Sequence, residues 1–320
     1  MSFDSSARFS ASSSEDLSDC ESATCRCCAS RQRALDLTLW DAGAEWASPL
    51  TPGVLPDNIA IGEIGNSVRI DLWRDWPRML AGLRRLGPVL AMTRNACAAL
   101  GTWRDFPDLE WSELRAADEE GEFDFDLRHW ARAYARHQRG VDGHLFSAEF
   151  HDHEGVCFHR VCLVQDSSLD AFTEWARVHQ SIAALDVPPP PEEDIAREPI
   201  GGGAWRDVGA EAISHFLREC LSREMPVRAI VGSSGAVQGH RFVPRKLSTV
   251  DGWTYCHSEE VALHYQPEAL GEVRLHDLAP GGSECWTLRA YDPSGRLALM
   301  LLPATSERLL MWNFLLRALA

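Results

Sequence analysis

The feature that most limits the fold is an internal repeat. A helix-like segment, Trp76 to Leu86, leads into Gly87-Pro88-Val89-Leu90-Ala91-Met92. Ala212 to Glu224 leads in the same way into Met225-Pro226-Val227-Arg228-Ala229-Ile230-Val231, and the two prolines lie 138 residues apart. Phe150-His151-Asp152-His153-Glu154-Gly155 and Ala290-Tyr291-Asp292-Pro293-Ser294-Gly295 read as turns between strand-like runs, with their glycines 140 apart. Each is followed by a helix-like segment carrying a tryptophan, Trp175 and Trp312, 137 apart. Nearly one offset at three landmarks marks a duplicated unit. Each copy reads as helix, strand pair, loop, further strands, hairpin and closing helix, and short hairpin connections favour antiparallel pairing. The expected fold is α+β, a tandem repeat whose copies each have a large antiparallel sheet flanked by helices.

Composition shifts divide the chain further. Residues 1–34 are Ser- and Cys-rich with few large apolar side chains, the composition of a disordered tail. The first repeat is assigned to 35–184 and the second to 204–320. Between them, residues 185–203 hold Pro188-Pro189-Pro190-Pro191, then Glu192-Glu193-Asp194, then Gly201-Gly202-Gly203, a linker pattern. Hydrophobic residues make up 45% of the chain, enough for a sizeable core. Acidic residues outnumber basic ones 47 to 31, a net charge of −16, which argues against nucleic acid as a partner. No apolar run is long enough for a membrane span and Met1 to Glu15 lacks a signal peptide's apolar core, so a cytoplasmic protein is expected.

Several strings then point to a family. These are Leu86-Gly87-Pro88-Val89-Leu90-Ala91-Met92-Thr93-Arg94-Asn95, Phe158-His159-Arg160-Val161, Val231-Gly232-Ser233-Ser234-Gly235-Ala236-Val237-Gln238-Gly239-His240, and Trp253 followed by Leu263-His264. In order and spacing the chain resembles the haem-utilisation proteins of the HemS/ChuX type, from about Ile61 to Ala320, in both repeats. The resemblance implies a tandem-repeat fold with large antiparallel sheets and haem as ligand or substrate. It also implies a role in iron and haem utilisation, either as a haem carrier or as a protein that degrades haemin oxidatively, with a redox partner or a homodimer as further expectations. The positions it singles out for haem are His240, His179, Arg94, Trp253 and Arg128.

The departures from the family pattern are specific. The usual ligating histidine lies on a helix between the repeats, where this chain has its Pro/Gly linker; the nearest echo is Val178-His179-Gln180. A histidine position of the first repeat reads Leu100. A pocket arginine falls near Asp124, or with a gap at Arg128. The second repeat's basic string reads Asp277-Leu278-Ala279-Pro280. A haem site would need an axial donor, cations for the propionates and apolar walls, and its cations would be nearly all arginine: the chain has thirty, against one lysine, Lys246. Read from the residues alone, His179 is an exposed group near a helix C-terminus and His240 a strand-end histidine satisfied by backbone.

Two further donor groups stand outside that resemblance. His151, Asp152, His153, Cys157 and His159 are dense in metal donors, and His151 and His153 share a face if the segment is a strand, which makes them a candidate metal pair. Cys20, Cys25, Cys27 and Cys28 lack the paired spacing of a zinc ribbon and read as a thiol-rich tail. The acidic run from Asp105 to Asp126 reads as a solvated face. The alternative to haem handling is a non-enzymatic module that kept the fold, lost the pocket, and binds another ligand or a protein.

Overall fold

The computed structural model describes residues 67–140, 143–181, 205–278 and 285–319. The tail, the linker and the four tail cysteines lie outside the described residues. In the first half the elements are β1 (Ser67–Asp71), α1 (Trp76–Leu83), β2 (Pro88–Arg94), β3 (Ala98–Asp105), β4 (Glu110–Trp111), β5 (Arg115–Ala117), β6 (Phe123–Asp126), β7 (Arg132–Gly140), β8 (Gly143–His151), β9 (Cys157–Leu163) and α2 (Leu169–His179). In the second they are β10 (Trp205–Val208), α3 (Glu211–Ser222), β11 (Val227–Gly232), β12 (Ala236–Phe242), β13 (Lys246–Val250), β14 (Trp253–His257), β15 (Val261–Tyr265), β16 (Glu272–Asp277), β17 (Trp286–Tyr291), β18 (Leu297–Pro303) and α4 (Leu309–Arg317).

The strands form two nine-stranded antiparallel sheets, as an α+β tandem repeat requires. The first runs β1-β7-β8-β9-β2-β3-β15-β14-β13 and the second β10-β16-β17-β18-β11-β12-β6-β5-β4. Exchanging each strand for its counterpart in the other half turns one order into the other. The halves are therefore equivalent but interlocked: six strands of each sheet come from one half and three from the other. The seams are β3 with β15, where Thr102 pairs Val261 and Ala98 pairs Tyr265, and β12 with β6, where Ala236 pairs Phe125.

Local chemistry explains the elements. The Asp75 side chain accepts from Arg78 N at the start of α1, a proline occupies its first turn, and Met79, Leu80 and Leu83 are buried. Ser168 caps α2 by accepting from Ala171 N. The two helices pack closely because residue 82 is glycine; a Cβ there would lie 2.6 Å from Trp175 Cδ1. Trp175 donates to Met79 O at 2.9 Å and its counterpart Trp312 to Trp286 O at 2.7 Å, so each closing helix is pinned to its own half.

The hairpins after β8 and β17 are built alike. Asp152 Oδ1 accepts from Glu154 N and Val156 N, and Asp292 Oδ1 from Ser294 N and Arg296 N. Gly155 and Gly295 take φ of +82° and +80°, left-handed backbone that favours glycine. Each hairpin also has a register shift, at Phe150/His151 and at Ala290/Tyr291.

Two large cores result, each shared by both halves, and a small third cluster of Leu90, Met92 and Cys162 lies on the other face of the first sheet. One joins α1, α2 and the inner face of the first sheet to Phe123 and Phe125 of β6. The other joins α3, α4 and the inner face of the second sheet to Leu263 and Tyr265 of β15. The sheets are tied where they cross. Buried Gln238 on β12 donates to Ala91 O and Thr102 Oγ1 of the first sheet. Asn95 uses its whole amide: Oδ1 accepts from Cys97 N and Ala98 N, while Nδ2 donates to Gly232 O and Ala298 O. The acidic run is not simply a solvated face, since Asp118 is buried and accepts from Phe123 N.

Candidate functional site

Alternation gives each sheet two faces. The inner face of the first sheet sends Val89, Ala91, Ala148, Phe150 and Val161 into the core. Its outer face is polar at both ends and small or apolar between them. Register puts His264 of β15 opposite Ala99 of β3, and Ala99 opposite Arg94 of β2, so the three form one row across the seam between the halves. Tyr255 pairs with His264, and half-buried Trp253 lies two residues along the same strand on the same face. Ala262, Gly101, Met92 and Leu90 make the floor beside that row.

At one end, His257 Nε2 and His264 Nε2 are 3.0 Å apart, and the Tyr255 ring stands edge-on to His264. Burial pushes His264 down to about 3, with His257 adding, and His257 down to about 4, with Lys246 adding. At neutral pH both rings are uncharged, so one nitrogen of the facing pair donates and the other accepts. Neutral imidazole is the form that ligates a metal.

The other end gathers cations. Glu149 is almost wholly buried, with Arg160 Nη2 at 2.6 Å and Arg136 Nη1 at 3.5 Å from its Oε1. His151 Nε2 is 3.3 Å from Glu149 Oε2, and His151 Nδ1 is 2.9 Å from Gly155 O. Burial alone would raise the Glu149 carboxyl, but Arg160, then His151 and Arg136, hold it well below the usual range. Burial alone would lower His151, but Cys157 and Glu149 prevail and hold it at about 10. Arg94 belongs to the same field: burial lowers it, Cys157 opposes that and Arg160 adds to it. Two arginines and a charged histidine thus surround one carboxylate, with Arg94 close enough to feel Arg160, in a protein of net charge −16.

Of the residues singled out from sequence, the structure brings Arg94 and Trp253 to this face. The others lie elsewhere. His240 is on the inner face of the second sheet, inside β12 and not at a strand end, and meets a side chain: its Nδ1 is 2.9 Å from Glu122 Oε1. Glu122 also pairs with Arg104. Burial and Arg104 lower His240. His179 is buried, not exposed; its Nδ1 bonds to Trp175 O at 2.8 Å, under the α1–α2 contact. Arg128 is exposed and forms a two-pronged ion pair with Asp126. Leu100 is core. His151 and His153 do not converge, because His153 Nε2 lies 3.1 Å from Arg128 O on the exposed side of the turn.

In the sequence His264 stands out only as part of a spacing, and no motif marks His257, Glu149 or Arg160 as site residues. The signal for the pair was present: two histidines seven residues apart sit on the strands either side of the turn Ser258–Glu260, at diagonal positions of one face. Their alignment with Arg94 was not accessible, since it depends on β15 pairing with a strand of the other half.

Residues 58–179 match the profile of the family described as the haemin-degrading HemS.ChuX domain. The chain is also similar to solved structures. One is holo-PhuS, a heme-binding protein from Pseudomonas aeruginosa: 18% identical, covering 74% of this chain and 82% of that one, with a TM-score of 0.65. Another is the heme-degrading enzyme ChuS of Escherichia coli O157:H7: 16% identical, covering 78% and 86%, with a TM-score of 0.69. At such identities the likeness is one of fold. No curated protein sequence matches. The chain thus carries a match to the HemS/ChuX-type domain in its first half, and its second half repeats the same strand order.

Proposed function

We propose that the protein binds haem on the outer face of the first sheet and acts in the cytoplasm as a haem-holding protein, with carriage favoured over ring opening. The observation that carries this reading is the row His264–Ala99–Arg94. Its ends are two strand spacings apart, about 10 Å, a span comparable to that from haem's iron to its propionates. His264 supplies a neutral imidazole for the iron. His264 would offer its lone pair to haem iron once His257 no longer faces it, and His257 would then position the ring. Arg94, with Arg160 beside it, supplies guanidinium for the propionates. Ala99 and Gly101 add no bulk to the row, Met92 and Leu90 close over Gly101 as an apolar floor, and Trp253 and Tyr255 form an aromatic wall. Bound haem supplies the ligand and redox chemistry of its iron. The six free cysteines among the described residues, five of them buried, suit a reducing compartment. Among the described residues no helix is long and apolar enough to cross a membrane.

Hemin titration followed by absorption tests the reading. A saturable Soret shift is expected, with affinity reduced about 10-fold or more in Arg94→Ala, as for a lost charge-assisted bond. Added reductant and oxygen should leave the Soret band in place for a carrier; its decay with product bands would move the protein to the degrading class. No Soret shift at all would remove haem as the ligand.

A further inference from the structure

The hairpin that precedes β9 holds a second constellation. Glu149, His151 and Cys157 are buried, and each has a donor atom within 4.8 Å of those of the other two. From this convergence we propose that Glu149 Oε2, His151 Nε2 and Cys157 Sγ form a site for one divalent cation of the zinc class, with a fourth position open to water.

Each ligand is already oriented by something behind it. Arg160 at 2.6 Å, Arg136 at 3.5 Å and the Ser147 hydroxyl at 3.4 Å all engage Glu149 Oε1, which turns Oε2 toward His151. His151 Nδ1 faces Gly155 O, so Nε2 is the nitrogen presented. Metal-bound histidines are usually held by just such a carbonyl contact. The turn that supplies the carbonyl is itself fixed, by the Asp152 bonds and the left-handed Gly155. The Nε2–Oε2 separation of 3.3 Å matches the ~3.4 Å between ligand atoms in a tetrahedral site with bonds of about 2.1 Å. Cys157 Sγ has a 3.5 Å contact to His159 O and its bond to the His151 side chain to give up.

The donor set excludes other assignments. Sulfur and imidazole disfavour calcium and magnesium, which take oxygen. A nucleophilic cysteine relay needs the carboxylate and the thiol on opposite ring nitrogens, whereas here the second nitrogen is taken by backbone. Carboxylate and thiolate together balance a divalent charge; binding transfers the thiol proton and the imidazole Nε2 proton to water. The fold does not demand these residues. The equivalent positions of the second copy are Arg289, Tyr291 and Leu297, in the same register across the same hairpin. The site is a property of the first copy alone, and it does not depend on haem binding.

The test is cobalt(II) titration of the full chain after chelation, without haem. One equivalent should give thiolate-to-cobalt charge-transfer absorption and tetrahedral d–d bands, both displaced by zinc. Cys157→Ser should abolish the charge-transfer band, and His151→Ala should weaken binding by 10-fold or more. His153→Ala should change nothing, and replacing Cys20, Cys25, Cys27 and Cys28 by serine should leave the spectrum intact. A charge-transfer band that survives in Cys157→Ser, or that vanishes in the four-serine variant, overturns the proposal. If Cys157→Ser fails to fold by circular dichroism, zinc protection from alkylation, mapped by mass spectrometry on the wild-type chain, reads the same point: Cys157 must be the protected thiol.

Discussion

The two facing histidines of the first sheet set the protein's behaviour in mild acid. His257 and His264 stay neutral in the fold while the unfolded chain protonates near the usual histidine value. The unfolded state therefore binds more protons below about pH 6.5, and stability falls as the pH drops toward the folded values. Each histidine should cost on the order of 1–2 kcal/mol between about pH 7 and about pH 5. Urea midpoints at the two pH values check this: the wild type should lose more than His257→Leu, and an equal loss would contradict the assignment. What was legible at this scale was residue type and spacing. Arg94 and Trp253 could be picked from strings. His240 and His179 could be picked equally well, yet Glu122 holds one and the Trp175 carbonyl the other. A string says that a histidine is present; its partner decides whether a lone pair is left for a ligand.

Turns carry much of the element-scale specification. Asn95 closes its own turn and binds two carbonyls of the other sheet, so Asn95→Ala removes four hydrogen bonds and strands buried groups. At about 1 kcal/mol each, a loss of roughly 2–4 kcal/mol is expected in urea unfolding. Asp152→Ala and Asp292→Ala should each cost about 1–2 kcal/mol by the same reasoning. Similar costs are expected, because the two turns share the same main-chain bonds and each aspartate accepts one further hydroxyl, Ser234 at Asp152 and Ser294 at Asp292; a loss at only one would show that the copies are not energetically equivalent. These elements were the most legible part of the chain. Apolar spacing gave α1 and α3 to within a few residues, and the glycine-ended turns and tryptophan-bearing helices fell where the offsets put them. The metal donors were half legible: His151 was visible in the string, but the bulge at Phe150/His151 and the Glu149 salt bridges select Glu149 and Cys157 as its neighbours over His153.

At the scale of the molecule the decisive fact is strand exchange. Three strands of each half complete the sheet of the other, so neither sheet is whole without both. Heat should therefore unfold the described body in one transition with calorimetric and van't Hoff enthalpies in agreement; two resolved transitions, one per repeat, would contradict the interlocked topology. Sequence could not show this. Periodicity assigns a residue to a face, and a duplicated pattern suggests two bodies side by side, but nothing local says that β3 pairs with β15 of the other copy. The same exchange builds the proposed haem site, since Arg94 comes from the first half and His264 from the second. The most direct test of that claim is the hemin Soret titration of His264→Ala beside His240→Ala and His179→Ala. Loss of the axial-imidazole spectrum is expected in His264→Ala alone. An unchanged spectrum in His264→Ala, or its loss in His179→Ala instead, would contradict it.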